Sequence, residues 1–362
     1  MAIEIKHLLK LMIDKGASDL HLMVNSPPVL RLDGELIDLD DCAPLNPAEI
    51  EAVFNEITTG DQRQLFSRNL ELDFAWSISG LARFRVNVLK QRGTLSLAIR
   101  LVPCRIPTID ELELPQICKE LILKPRGLIL VTGASGSGKS TTLAAMLNHL
   151  NQTERRNVIT IEDPIEYIFS NQKCLIRQRD LGDDTLSFSA ALLHALRHDP
   201  DVIVVGEMRD LETISTALRA AETGHLILGT LHTIDAPQSI DRIIDVFPYG
   251  QQRQVRLQLS QVIEAILSQR LLPRIGGGRI AAFEILLGTR TVAKLIREEK
   301  IYEMNSHMET CRREGMQTMD QALAELVRKK TVTLEEAMRH SSNPDRLRFH
   351  LAQSEPARTC SR

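Results

Sequence analysis

Gly127-Leu-Ile-Leu-Val-Thr-Gly-Ala-Ser-Gly-Ser-Gly-Lys-Ser140 joins a short apolar run to a glycine-rich loop ending in lysine and serine. Gly127–Thr132 reads as a buried strand, because it is short and apolar and lacks the alternation of a half-exposed one. Residues 133–140 match G-x-x-x-x-G-K-[S/T] in full, and a helix is expected to open at their end. Each part has a physical reason. The loop residues Gly133, Ser135, Gly136, Ser137 and Gly138 can turn backbone N–H groups inward around a phosphate. The helix N-terminus behind them adds partial positive charge. Lys139 is placed to bridge the β- and γ-phosphates, Ser140 to offer a hydroxyl to Mg²⁺, and Thr141 to reach the α-phosphate. The stretch therefore predicts an ATP site that uses Mg²⁺.

Outward from this loop the same pattern recurs. Val158–Ile161, Val202–Val205 and Leu226–Leu231 are short apolar runs, and helical stretches at 139–150, 187–198 and 210–222 lie between them. Alternation of this kind, with near-continuous apolar strands, means a mostly parallel α/β sheet. Strand ends in such sheets face the ligand crevice, and two acidic clusters stand there. One is Glu162-Asp-Pro-Ile-Glu166; the other is Gly206-Glu207. Glu207 occupies the place of a metal-binding strand-end carboxylate, and Glu166 is a candidate to orient attacking water. Asp163 beside Pro164 reads equally as a turn residue, and Glu162 equally as structural. His225 and His232 bracket the strand Leu226–Leu231 and are candidate nucleotide contacts or ordinary strand-end histidines.

The first hundred residues are of a different kind. Ile5, Leu8, Leu9 and Met12 make a helical stripe that Gly16 ends. Strands are expected at 18–22, 29–32, 36–39, 72–77, 83–89 and 95–101, with Asp33-Gly34, Gly80 and Arg92-Gly93 as turns. Asn46-Pro47-Ala48-Glu49 starts a helix with a cap, an N1 proline and an N3 carboxylate. Pro103 and Pro107 mark a linker, and Thr108-Ile-Asp-Glu111 is expected to open a helix. Beyond the strand Phe283–Leu287 the chain turns helical, Thr333-Leu-Glu-Glu336 caps a late helix, and the last twenty residues read as a frayed tail.

Composition narrows the function. A 43% hydrophobic, 25% charged chain of 362 residues is globular and has material for two or three domains. Formal charge of −3 and 4% aromatics leave little footprint for nucleic acid. Apolar runs such as Leu143–Leu147 fall far short of the about 20 residues of a membrane span. The charged start, Met1-Ala-Ile-Glu-Ile-Lys6, lacks the apolar block of a secretory signal, so a cytoplasmic protein is expected. Six dispersed cysteines contain no C-x-x-C, which gives no zinc or redox motif.

Eight ordered motifs together carry a resemblance. They are Gly-Ala-Ser-Asp-Leu-His-Leu (16–22), Ala-Arg-Phe-Arg-Val-Asn (82–87), the phosphate loop, Thr-Ile-Glu-Asp-Pro-Ile-Glu-Tyr (160–167), Val-Gly-Glu-Met-Arg-Asp (205–210), Ala-Glu-Thr-Gly-His (221–225), Gly-Thr-Leu-His-Thr (229–233) and Gly-Met-Gln-Thr-Met-Asp (315–320). The chain resembles the PilT family of twitching-motility, or type IV pilus retraction, ATPases of the secretion-ATPase superfamily. The resemblance implies an α/β protein: a RecA-like P-loop NTPase core, a smaller α+β PAS-like N-terminal domain and a helical C-terminal segment. It sets the expected domains at 1–101, a linker and connecting helix at 102–120, the core at 121–290, helices at 291–341 and a flexible tail at 342–362.

By the same resemblance, Glu166 is the general base, Glu207 the carboxylate acting through Mg²⁺, and His232 and His225 the two ends of a histidine box, with Glu162 beside the nucleotide. Arg85 and Arg100 correspond to arginine fingers, Arg83 and Arg92 being weaker candidates. It implies a homo-hexameric ring at the inner-membrane base of a pilus machine, which grips a membrane platform protein, inserts nothing into the bilayer and binds no nucleic acid. The family's A-I-R-N-L-I-R-E motif appears here as Thr291-Val-Ala-Lys-Leu-Ile-Arg-Glu298, with Ala293 in place of the first arginine. That departure leaves open an accessory PilU-like paralogue, working beside a paralogous retraction ATPase, or a nucleotide-binding scaffold. A RecA-like nucleic-acid motor is the more distant alternative.

Overall fold

The computed structural model describes residues 4–32, 34–39, 42–78, 81–102 and 105–352. Asp33, Gly80, Pro103, Cys104, the first three residues and 353–362, all touched by the expectations above, lie outside these. The chain divides into two compact units, Met1–Arg105 together with Glu166–Ile168, and Ile106–Ile165 together with Phe169–Arg362.

In the first unit, α1 (Ile5–Asp14) buries Ile5, Leu8, Leu9 and Met12, the stripe its spacing predicts. Six strands follow: β1 (Asp19–Met23), β2 (Val29–Leu32), β3 (Glu35–Asp38), and, after helices α2 (Pro47–Ile57) and α3 (Gly60–Asn69), β4 (Glu71–Ile78), β5 (Ala82–Gln91) and β6 (Thr94–Val102). They form one antiparallel sheet in the order β3-β2-β1-β6-β5-β4. Alternation decides its faces. Phe84, Val86 and Val88 of β5 and Leu97 and Ile99 of β6 are buried in a core that includes Ile50, Val53, Phe54 and Ile57 of α2. The opposite face carries a row fixed by register, Arg31 beside Asp19, Asp19 beside Arg100, and Arg100 beside Arg85. At α2 the expected cap is present, with Asn46 and Glu49 exchanging hydrogen bonds of 3.0 and 2.9 Å. Helix α3 was not expected: its polar sequence buries only Phe66, and it is started by a capping box between Thr59 and Gln62.

In the second unit the helix expected at Thr108 is absent. Thr108 and Glu111 do exchange the hydrogen bonds of a capping box, but no helix propagates from them. Glu113 turns to φ +52° and Pro115 lacks an amide donor, so the box closes a turn. The first helix is instead α4 (Ile117–Ile122). Next come β7 (Gly127–Thr132), α5 (Lys139–Thr153), β8 (Asn157–Glu162), β9 (Leu175–Asp180), α6 (Phe188–Ala195), β10 (Val202–Val205), α7 (Leu211–Glu222), β11 (Leu226–Leu231), α8 (Ala236–Asp245), α9 (Tyr249–Val262), β12 (Ile263–Pro273) and β13 (Arg279–Leu287). The sheet order is β13-β12-β7-β11-β10-β8-β9, and every neighbouring pair is parallel except β12 with β13. Successive residues of one strand enter different cores. Leu128, Leu130, Ile203 and Val205 pack with α6 to α9, while Ile129, Val131, Val202 and Val204 pack with α4 and α5. Burial on both faces is why these strands read as unbroken apolar runs.

The helical segment comprises α10 (Arg290–Arg297), α11 (Met304–Thr310), α12 (Met319–Arg328), α13 (Leu334–His340) and α14 (Pro344–Ala352). Helix α14 corrects the expectation of a tail from residue 342, since Leu347 is completely buried in a small core with Leu323, Val332 and Ala337. No helix among the described residues is long and apolar enough to cross a membrane. The described cysteines Cys42, Cys118, Cys174 and Cys311 are free thiols.

Candidate nucleotide site

The parallel sheet brings the ends of β7, β11, β10 and β8 to one edge, and the expected chemistry of this unit collects there. After β7 the chain closes the loop Gly133–Gly138 and starts α5 at Lys139. Two glycines are required by geometry. Gly133 has φ +145°, and a Cβ there would lie 2.5 Å from the Gln269 carbonyl and 2.7 Å from Ser137 Oγ. Gly138, the N-cap of α5, sits at φ +91°, in the left-handed region. Lys139 Nζ donates to the carbonyls of Gly133 (2.7 Å) and Ala134 (3.0 Å), so its ammonium lies over the mouth of the loop. Ser140 and Thr141 are half-buried in the first turn of α5, while Ala134, Ser135 and Gly136 are exposed. Ser137 is buried, with its hydroxyl turned toward Gly133 and its amide donating to the Ala134 carbonyl at 3.2 Å.

Two strands away, Gly206 follows β10 against β8, where a Cβ would meet the Ile161 carbonyl at 2.9 Å. Glu207 comes next. Its Oε1 takes His232 Nε2 at 3.1 Å and an ion pair from Arg209 Nε. Burial alone would push the Glu207 carboxyl up, but Arg209 and His232 outweigh it and hold it below the usual carboxylate range. Glu207 is therefore an anion at neutral pH. At the end of β8, Glu162 Oε1 accepts from Thr160 Oγ1 (2.6 Å) and Gln178 Nε2 (3.1 Å).

Loop, Glu207, His232 and Glu162 thus share one sheet edge. His225 does not join them within this chain. It precedes β11, its carbonyl accepts from Gly127 N at the start of β7, and its Nδ1 lies 3.0 Å from the Ala220 carbonyl. The six residues of β11 separate it from His232 by about 20 Å. Glu166 is exposed and belongs with the first unit.

In the first unit, Arg85 and Arg100 are cross-strand neighbours on the exposed face of β5 and β6. Like charges directly opposite each other weaken a sheet. Asp19 offsets this by accepting from Arg100 Nε at 2.8 Å and from Ser18 Oγ at 2.8 Å. Burial would raise the Asp19 carboxyl, but these two hydrogen bonds together with nearby positive charge, chiefly that of Arg100, hold it below its usual range. Arg100 keeps 66% of its side-chain surface exposed. The pair is a preorganised cationic patch rather than a stabilising device.

Mg²⁺ fits the residues present. Among the described residues no cluster of three or more His, Cys, Asp or Glu forms a cage. Mg²⁺ beside nucleotides is commonly held by one or two protein oxygens and the phosphates. Ser140 and the ionised Glu207 supply such oxygens.

Two buried polar residues escaped the sequence reading. Gln269 on β12 touches the phosphate loop. Glu284 on β13, 4% exposed, accepts from the first amides of α8 (Ala236, 2.8 Å) and α12 (Met319, 3.4 Å). A lone carboxylate inside the apolar run Ala281–Leu287 was the available signal for Glu284; Gln269, between Ser268 and Arg270, carried none.

The family model described as "Type II/IV secretion system protein" matches residues 74–339. The type IV pilus retractation ATPase PilT of Pseudomonas aeruginosa is 46% identical over 94% of this chain and 99% of its own length. The type IV pilus ATPase PilU of the same organism is 42% identical, over 96% and 91%. A crystal structure of the pilus retraction motor PilT with bound ADP superposes with a TM-score of 0.91 at 47% identity, covering 96% of this chain and 99% of that one.

Proposed function

The chain belongs to the type II/IV secretion system protein family, and on that premise we propose that it is a motor ATPase that hydrolyses ATP to drive type IV pilus retraction. The observation that carries this reading is the complete phosphate loop, set beside an ionised strand-end carboxylate, in a chain similar over nearly its whole length to a retraction motor solved with ADP.

The phosphate loop holds ATP through its amides and the α5 N-terminus, with Lys139 against the terminal phosphates. Ser140 and Glu207 would hold Mg²⁺, which when bound would offset negative charge on those phosphates. Arg209 and His232 hold the Glu207 carboxylate at Oε1 and so keep it oriented at the end of β10. Glu166 orients the attacking water, and Arg85 and Arg100 spread the charge that develops on the transferred phosphoryl group. The working form is a homo-hexameric ring in the cytoplasm, at the inner-membrane base of the pilus machine, acting on a membrane platform protein. Differential affinity for ATP, ADP and phosphate then biases the ring between conformations, and a few kcal/mol per step is sufficient.

One observation favours a second reading. In α10 the position of the family motif's first arginine is Ala293, and the chain is nearly as similar to PilU as to PilT. An accessory motor that joins a paralogous retraction ATPase accounts for both. Deleting the gene separates the two readings: excess surface pili with lost motility identify a principal motor, and normal pilus number with weakened retraction an accessory one. Loss of all pili overturns the retraction assignment. Release of phosphate from ATP by the purified chain, dependent on Mg²⁺ and stopped by Glu166→Gln, tests the chemistry.

A further inference from the structure

Gln269 is 1% exposed and sits where a strand of a parallel sheet usually carries an apolar residue. Its side chain faces the phosphate loop, and Nε2 donates to the Ser137 carbonyl at 2.5 Å. Its own backbone carbonyl closes against Gly133, and a Cβ on Gly138 would come within 3.1 Å of Nε2. One residue of β12 therefore meets the loop at 133, 137 and 138. Its Oε1 is buried and accepts no hydrogen bond among the described residues. A buried amide with one end unsatisfied adds little to stability, since an apolar side chain of similar shape removes the unsatisfied acceptor.

We propose that Gln269 is a positioning residue for nucleotide binding, acting through the peptide that links Ser137 to Gly138. Within a planar trans peptide the N–H points opposite to the C=O. Pinning the Ser137 carbonyl onto Gln269 therefore turns the Gly138 N–H away from β12, into the concave side of the loop where a phosphate is received. The amide fixes that donor before the ligand arrives, so less ordering remains to be done on binding. This rests on reading 133–140 as the nucleotide loop.

The test uses the full chain with Gln269→Met and Gln269→Glu. Methionine matches the length and lacks the donor; glutamate keeps the shape and sets an acceptor against the Ser137 carbonyl. The expected result is a dissociation constant for ADP raised about tenfold in Gln269→Met, a change of about 1.4 kcal/mol, and further in Gln269→Glu. The KM for ATP rises with it, kcat at saturating ATP stays within about threefold of wild type, and the melting midpoint without nucleotide is little changed. ADP binding by Gln269→Met equal to wild type overturns the proposal. So does failure of both variants to fold, which would make Gln269 a structural residue. A wild-type chain that binds no ADP contradicts the nucleotide reading itself.

Discussion

At the scale of single residues, charge neighbours set what each group can do. Glu207 is ionised because Arg209 and His232 offset its burial. Arg209→Ala removes the guanidinium that pairs with Glu207, so the Glu207 carboxyl moves up and the acid limb of the ATPase pH profile shifts to higher pH. An unshifted limb would remove Glu207 from the titrating set. Arg100 stands on the exposed face with Asp19 as its anchor. Arg100→Ala should lower kcat by at least about 100-fold, since arginine fingers contribute about 10³–10⁵, and steady-state phosphate release measures it. Glu207 was legible in the sequence as a candidate from its place after the apolar run Val202–Val205, and Arg100 only through the family resemblance. Gln269 and Glu284 were not, because their roles depend on which strands the fold places side by side. His225 shows the converse: adjacent in sequence to a site strand, it lies at that strand's far end.

At the scale of elements, periodicity made most helices and strands readable. The stripe of α1 and the alternation of β5 and β6 each have one apolar face. Where a polar sequence is held by caps, as in α3, or by one buried residue, as in α14, the pattern carries little signal. Thr108 shows that a capping box starts a helix only when the residues after it can continue one. Leu347 is the completely buried anchor of α14. Leu347→Ala should destabilise the second unit by about 2–5 kcal/mol, the usual cost of emptying a core leucine site, measured by denaturant unfolding.

Glu284 links elements rather than belonging to one, since its carboxylate caps both α8 and α12. Burial pushes its carboxyl up to about 7. A carboxyl raised above its unfolded value holds its proton in the folded state where the unfolded chain has lost it. Its contribution to stability is full below about 4.5, its ordinary value, and is lost as pH rises through about 7. Between pH 5 and pH 8 the wild type should therefore lose more stability than Glu284→Gln, by up to about 3 kcal/mol. Equal pH dependence of the two in urea melts would contradict this.

At the scale of the whole molecule, the proposed function requires that hydrolysis at the phosphate loop retract the pilus. Lys139 is the residue on which that requirement turns, because its ammonium lies over the loop mouth and is placed to meet the phosphates. The most direct measurement replaces Lys139 with alanine in the host's own gene, then counts surface pili and scores surface motility. The expected outcome is a stable protein that leaves cells with excess pili and no motility. Wild-type pilus number with normal motility, from cells holding normal amounts of the Lys139→Ala protein, would contradict it.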